Sequence, residues 1–286
     1  MGQRRQIDGS RILITGASQG IGRALAQAAV RRGGLVLAAA RQLDLLQELA
    51  AQTRGWNGRL EIVQADVTVA EDRQRMADAA VEHFGGLDIL INNAGIGATG
   101  QFADANEERM RQIFEVNFFG LTETTRVCLP LLKKGNKPAI VNISSVAGKR
   151  AIPSRSEYSA SKFAVQGFSE AIRAELAKDD VDVLVICPGL TQTNFSQNMI
   201  EQKARVRLDH LRGMTAEQVA EATLRAIERG KHETYLTWQG KLIIYISRFF
   251  PRLADRIAAK RVRKVWADEI AARQAAEEQP QPVRHE

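Results

Sequence analysis

The sequence predicts an α/β chain built on a single Rossmann-type doubly wound parallel sheet with helices on both faces, plus a C-terminal helical extension. Three observations carry that prediction. Short apolar runs alternate with stretches of helical period along most of the 286 residues. The first run enters a glycine-rich turn that opens a helix. Small or polar residues then follow strand after strand, at the ends where such a sheet forms its ligand crevice.

Arg11-Ile12-Leu13-Ile14 reads as a buried strand and leads into Thr15-Gly16-Ala17-Ser18-Gln19-Gly20-Ile21-Gly22, then a helix to residue 32. Gly16 permits the tight turn, Gly20 lets backbone approach a pyrophosphate, and Gly22 lets helix and strand pack closely. The helix N-terminus faces the phosphates, with Ser18, Gln19 and Ile21 in the same turn as further cofactor contacts. The spacing is G-x-x-x-G-x-G, not the commoner G-x-G-x-x-G.

Residues 35–40 form the second strand. A 2′-hydroxyl binder carries Asp or Glu at its end. Here stand Ala40 and Arg41; an acid would repel a 2′-phosphate, whereas Arg41 pairs with it, so the expected cofactor is NADP(H). A surface arginine opening the next helix, over 43–53, is the other reading.

The third strand, 60–64, ends in Asp66-Val67, where a carboxylate accepts from an adenine amino group or caps the helix over 69–84. The fourth, 87–91, leads into Asn92-Asn93-Ala94-Gly95. Small residues there let a ring or ribose lie against backbone, and Asn93 can tie neighbouring strands. Residues 107–132 read as one long helix, in which Asn117 is a poor choice unless its side chain has a task.

The fifth strand, 139–143, delivers Ser144-Ser145. The next helix, ending near residue 178, carries Tyr158-Ser159-Ala160-Ser161-Lys162. A Tyr and a Lys four apart share one helix face. A phenol titrating near 10 is a poor acid or base at neutral pH. A fixed ammonium favours phenolate and makes Tyr158 a usable proton donor or acceptor. By itself the spacing also fits a solvated pair. The sixth strand, 181–186, breaks at Cys187-Pro188-Gly189, and a loop through Thr191 and Thr193 runs to residue 212. Thr215 is a helix N-cap, and 233–237 is a last short strand.

The net charge of +7 lies between Lys241 and Lys264, where eight basic residues meet one acid, Asp255. The remainder is near neutral, so no nucleic acid is expected. Two cysteines and four scattered histidines give neither a disulfide framework nor a metal site. Residues 1–6 have no apolar core and no apolar run reaches about 18 residues, so the reading expects no signal peptide and no membrane span. A cytoplasmic protein is expected, peripheral at a membrane if its extension binds lipid. The organisation reads as an N-terminal tail over 1–8, a catalytic domain over 9–238, a basic amphipathic extension over 239–275 and a disordered tail over 276–286.

Within the extension, 242–250 is apolar and Pro251 suits the first turn of a helix. Leu253, Ala254, Ile257, Ala258, Val262, Val265 and Trp266 recur at three- and four-residue steps, interrupted by Arg261. Such a helix packs on the body or on a second subunit, or lies on an anionic membrane surface. Packing or dimerisation is favoured.

At these residues the chain resembles the classical short-chain dehydrogenase/reductases. The matching positions are Thr15-Gly16-x-x-x-Gly20-x-Gly22, Asp66, Asn92-Asn93-Ala94-Gly95, Asn117, Ser145, Tyr158-x-x-x-Lys162, and Pro188-Gly189 followed by Thr193, over roughly residues 8–237. The family's serine usually stands about thirteen residues before its tyrosine, which selects Ser145 over Ser144.

The resemblance implies a redox enzyme in which Tyr158 exchanges a proton with the substrate oxygen and Ser145 holds that oxygen. Lys162 lowers the tyrosine pKa and binds the nicotinamide ribose, and Asn117 holds a water linking Lys162 to solvent. Hydride would pass between nicotinamide and an alcohol or ketone carbon. The Thr191 backbone would face the cofactor carboxamide. A homodimer or homotetramer is expected. A lipophilic, steroid- or retinoid-like substrate would lie against an apolar wall of Leu190, Phe195, Met199 and Ile200; the other readings are that these residues only pack the loop and that the substrate is a small polar carbonyl or a sugar. The rival reading is a non-catalytic NADP(H) sensor on the same fold, which would not need the whole Ser-Tyr-Lys-Asn set.

Overall fold

The computed structural model describes residues 2–193, 195, 198–205 and 213–271. Its central sheet is parallel throughout. The strands are β1 (Arg11–Thr15), β2 (Leu35–Ala40), β3 (Arg59–Gln64), β4 (Ile89–Asn92), β5 (Ala139–Ile143), β6 (Asp182–Cys187) and, after a minor pair β7 (Thr191–Gln192) and β8 (Met214–Thr215), the edge strand β9 (Glu233–Tyr235). Their order is β3-β2-β1-β4-β5-β6-β9, so the direction of winding reverses between β1 and β4. That reversal opens a crevice at the carboxyl ends of the strands.

Between the strands run α1 (Gly20–Arg31), α2 (Leu43–Gln52), α3 (Ala70–Phe84), α4 (Glu107–Phe114), α5 (Gly120–Leu132), α6 (Ser156–Glu175) and α7 (Ala216–Glu228). A parallel sheet covered on both faces needs strands apolar on both sides, which is why β1 and β2 read as unbroken apolar runs. Ile12, Ile14, Val36 and Ala38 pack with Leu25, Leu46 and Leu224 in one layer. Leu13 and Leu37 face the opposite way, onto Met76, Cys128 and Leu132. Both cysteines are free and buried, and burial pushes the Cys128 thiol up to about 12.

Three elements differ from expectation. The helix expected over 107–132 is α4 and α5 joined by one π-helical turn, Glu115–Phe119. Such a turn inserts one extra residue, and it does so around Asn117. The helix expected to reach residue 178 ends at Glu175 and closes with a tight turn, Leu176–Asp179, before left-handed Asp180 (φ 53°). The apolar stretch 242–250 falls almost wholly within a helix, α8 (Trp238–Phe249), capped by Thr237, whose Oγ1 accepts from the Gly240 amide at 3.1 Å.

Pro251 opens α9 (Pro251–Val265) as expected, but no residue of α9 is buried. Ala254, Ala258, Val262 and Val265 of its apolar stripe are half-buried and Trp266 is buried, whereas Leu253 and Ile257 stand exposed. Leu242, Ile243, Tyr245, Phe249, Phe250, Leu253 and Ile257 are exposed across α8 and α9. No helix among the described residues is long and apolar enough to cross a membrane.

The segment before β1 is anchored. Arg5 donates to the carbonyls of Lys137 and Ile227 (both 3.0 Å) and pairs with Asp182 at 2.5 Å, and Ile7 is buried. The tail expected over 276–286 and the loop residues 206–212 lie outside the described residues.

Candidate functional site

The crevice is a cleft of about 1770 Å³ running across the carboxyl ends of β1 to β6. That exceeds the roughly 300–1,000 Å³ of an ordinary small-molecule pocket and leaves room for a dinucleotide together with a second ligand. Gly16, Ser18, Gln19, Gly20, Ile21, Arg41, Asp66, Val67, Asn93, Ala94, Gly95, Ser145, Tyr158, Lys162, Pro188, Gly189, Thr191 and Thr193 all line it. Of the residues singled out in the sequence, Gly22 and Asn117 lie behind its wall.

The glycine turn is shaped for close backbone approach. Gly16 and Gly20 have φ of +65° and +54°, in the left-handed region that favours glycine. A Cβ on Gly22 would stand 2.2 Å from the Gly16 carbonyl oxygen, and one on Gly16 would stand 2.8 Å from the Ala94 Cα. This cradle fits a phosphate seated on backbone N–H groups at the start of α1. Asn93 clamps it from the neighbouring strand: its Nδ2 donates to the carbonyls of Thr15 (3.0 Å) and Gly16 (3.1 Å). At the adenosine end the Arg41 side chain is about two-thirds exposed, and its Nη1 stands 3.8 Å from Asp66 Oδ2. Asp66 Oδ1 meanwhile accepts from the amide (2.9 Å) and hydroxyl (2.8 Å) of Thr68, which closes the turn into α3.

At the other end β5 and α6 bring the polar residues together. Ser145 stands beside the Tyr158 phenol and favours its ionised form, and its Oγ accepts from the Ala147 amide at 3.1 Å. Ser144 also lines the cleft, but its Oγ is engaged by Gln166, from which it accepts at 3.2 Å. Lys162 Nζ donates to the Ile143 carbonyl at 3.0 Å and lies 5.9 Å from the Tyr158 ring centre. Burial lowers the Lys162 pKa to about 8. Burial likewise pushes the Tyr158 phenol up; the Ser145 hydrogen bond and then the Arg155 charge pull it back. The depression expected from Lys162 is thus not what governs the phenol here: burial dominates, and the guanidinium that opposes it is Arg155.

Asn117 is fully buried. It donates from Nδ2 to the Ile96 carbonyl and the Ser161 hydroxyl (both 3.0 Å) and accepts from the Ile96 amide at 2.8 Å. Its amide thereby joins the chain leaving β4 to helix α6. A Cβ on Gly95 would meet Asn117 Oδ1 at 3.2 Å and Lys162 Nζ at 3.6 Å, so this corner is tightly filled.

Of the apolar wall expected from the loop, Leu190 and Phe195 line the cleft, whereas Met199 and Ile200 do not. Phe195 stacks obliquely on Tyr158 with ring centres 5.8 Å apart. Sequence reasoning missed Arg155 and Ile152, and missed that Trp238 and, from the extension, Ile243 and Arg261 also line the cleft. Arg155 carried a signal, a cation three residues before the tyrosine; Ile243 and Arg261 depend on how α8 and α9 fold back.

A family model described as short chain dehydrogenase matches residues 10–204. The chain is 37% identical over 258 residues to an uncharacterized oxidoreductase, YxnA, of Bacillus subtilis (strain 168), covering 87% of this chain and 71% of that protein. It is 34% identical over 267 residues to dehydrogenase/reductase SDR family member 7B of Rattus norvegicus, covering 88% and 81%. Among solved structures, a short chain dehydrogenase/reductase from Burkholderia phymatum in complex with NAD superposes with a TM-score of 0.78 at 27% identity, over 87% of this chain and 96% of that one. A short chain dehydrogenase from Burkholderia cenocepacia J2315 in complex with NADP gives 0.76 at 30% identity, over 89% and 99%.

Proposed function

The chain belongs to the short-chain dehydrogenase family of oxidoreductases, and from that premise we propose that it is an NADP(H)-dependent enzyme interconverting a secondary alcohol and a ketone. The observation that carries this reading is the meeting of Ser145, Tyr158 and Lys162 in one half-buried corner of a cleft whose far end is a phosphate-type glycine cradle. The bound nicotinamide would supply the hydride chemistry.

The chain's own residues hold and move the proton. Tyr158, kept protonated by burial, donates its phenolic proton to the substrate oxygen as a ketone is reduced, and accepts it back in the reverse direction. Ser145 holds that oxygen against the phenol. Lys162 would hold the ribose of the bound cofactor and carries positive charge near the tyrosine. Asn117 acts as a positioning residue through Ile96 and Ser161.

Preference for NADP(H) rests on Arg41 and on the absence of an acid at the end of β2. Ile152, Leu190, Phe195, Trp238 and Ile243 favour a substrate with a lipophilic body. The exposed apolar residues of α8 and α9 support assembly into a homo-oligomer. The test is NADPH absorbance with a panel of alcohols and ketones. Turnover that Tyr158→Phe removes is the expected result; no turnover of any member, with NADPH bound, would leave the sensor reading standing instead.

A further inference from the structure

Most charged side chains around the substrate end of the cleft are already matched. Glu157 accepts from Arg109 and from Ser156, and Glu201 pairs with Arg109 and Lys203. Lys149 holds Glu170 and Glu233, and Arg150 holds Asp255. Arg155 is different. Its backbone is fixed, the amide donating to Ile152 (3.1 Å) and the carbonyl accepting from Ser159 (2.9 Å) in the first turn of α6. Its side chain lines the cleft beside Ile152 and Tyr158 and has no ion pair or side-chain hydrogen bond among the described residues. Desolvation is the first effect on its charge, and among the described residues the group that opposes it is the Tyr158 phenol.

A partly desolvated guanidinium without an acid is costly in a folded protein. Its planar fork suits bidentate binding of a carboxylate or phosphate. The cofactor phosphates are not the natural partner, because the glycine turn and Arg41 stand at the other end of the cleft. Resting on the proposed redox reading, we infer that Arg155 binds an anionic group of the substrate close to the reacting carbon, so that the substrate is a carboxylated or phosphorylated oxo or hydroxy compound with a lipophilic body. Arg155 is then a specificity-determining residue: it selects the anion and sets the carbonyl against Tyr158 and Ser145.

The test uses the full chain with NADPH and matched pairs of ketones: 4-oxo-4-phenylbutanoate with its methyl ester, and phenacyl phosphate with its dimethyl ester. The expected result is a wild-type kcat/KM about tenfold or more higher for the anion of at least one pair, carried mostly by KM. Arg155→Gln removes that preference and Arg155→Lys restores part of it, while NADPH affinity by fluorescence reports an intact fold. The pair that shows the preference tells carboxylate from phosphate. Anion and ester handled alike by the wild type, or a preference that survives Arg155→Gln, overturns the inference and leaves the redox reading intact. If neither ketone of either pair turns over, calorimetric titration of both anions onto the NADPH complex decides. Salt-sensitive binding weakened about tenfold by Arg155→Gln supports the anion site, and binding that is absent or unaffected overturns it.

Discussion

Lys162 Nζ donates to the Ile143 carbonyl at 3.0 Å, so the ammonium of α6 is tied to the last residue of β5 rather than left free beneath Tyr158. The bond positions the amine, but burial makes its charge costly and lowers its pKa to about 8. An unfolded lysine titrates near 10.4. Between those values the unfolded chain binds a proton that the folded chain does not. This group's contribution to stability therefore rises with pH from about 8 to about 10.4 and is flat on either side. The full difference is on the order of 3 kcal/mol. Urea unfolding of wild type and Lys162→Met at pH 7.5 and pH 10 should show wild type gaining relative to the variant at the higher pH. Parallel behaviour of the two proteins would show that the amine is not desolvated.

Tyr158→Phe deletes one oxygen from a ring held by Phe195 and the cleft wall. Cofactor affinity should change little. Turnover should fall by about 10²–10⁴, the range of a general acid or base. Lys162→Ala should impair both, since the amine is read as meeting cofactor as well as tyrosine. Stopped-flow hydride transfer and NADPH fluorescence separate the two effects. A Tyr158→Phe enzyme with wild-type turnover would exclude the phenol from the proton transfer.

Cofactor choice turns on Arg41. Its side chain is mostly exposed, and at 3.8 Å its contact with Asp66 is loose, so it can turn to a 2′-phosphate at little cost. A charge-assisted contact of about 1.5–3 kcal/mol corresponds to roughly ten- to hundredfold in affinity. Dissociation constants for NADPH and NADH in wild type and Arg41→Ala check this. Wild type should favour NADPH, and the variant should lose that preference by weakening NADPH alone. Equal wild-type affinities would refute the assignment.

Much of this was legible because the relevant signals are local. Strand, glycine turn and helix are adjacent in sequence, and β1 and β2 are buried on both faces, so periodicity and turn chemistry sufficed. Tyr158 and Lys162 share a face by helix geometry alone. What was not legible depended on distant contacts. The π turn at Asn117 follows from hydrogen bonds to Ile96 and Ser161, which are remote in sequence. The direction of the Tyr158 pKa depends on burial, which spacing cannot report. Ile243 and Arg261 reach the cleft only because α8 leaves β9 and α8 and α9 fold back against its rim.

Asn117→Ala would leave the half-buried Ile96 amide and carbonyl without their partner. Each such loss costs about 1–3 kcal/mol, so the variant should unfold at distinctly lower urea concentration. Because the amide also reaches Ser161 on the tyrosine helix, turnover should fall more than cofactor affinity does. A variant as stable and active as wild type would mean that the π turn holds its shape without the amide.

The C-terminal hairpin gives the last prediction. Phe249 and Phe250 are 68% and 62% exposed, and Leu253 and Ile257 continue the surface along α9. Monomeric proteins rarely leave so much contiguous apolar side chain in water. The body does not cover it, so a second copy of the chain is the cover we propose. Deleting residues 241–286 is a poor test, because Ile243 and Arg261 would leave the cleft with it. Leu253→Glu with Ile257→Glu is better: neither residue lines the cleft, and both stand on an exposed helix that tolerates a carboxylate. Light scattering after size exclusion should show the wild type at twice the chain mass or more and the double variant at one chain, with NADPH affinity retained in both. A wild type that runs as a monomer and floats with anionic liposomes in a salt-sensitive manner would assign the same surface to a membrane instead.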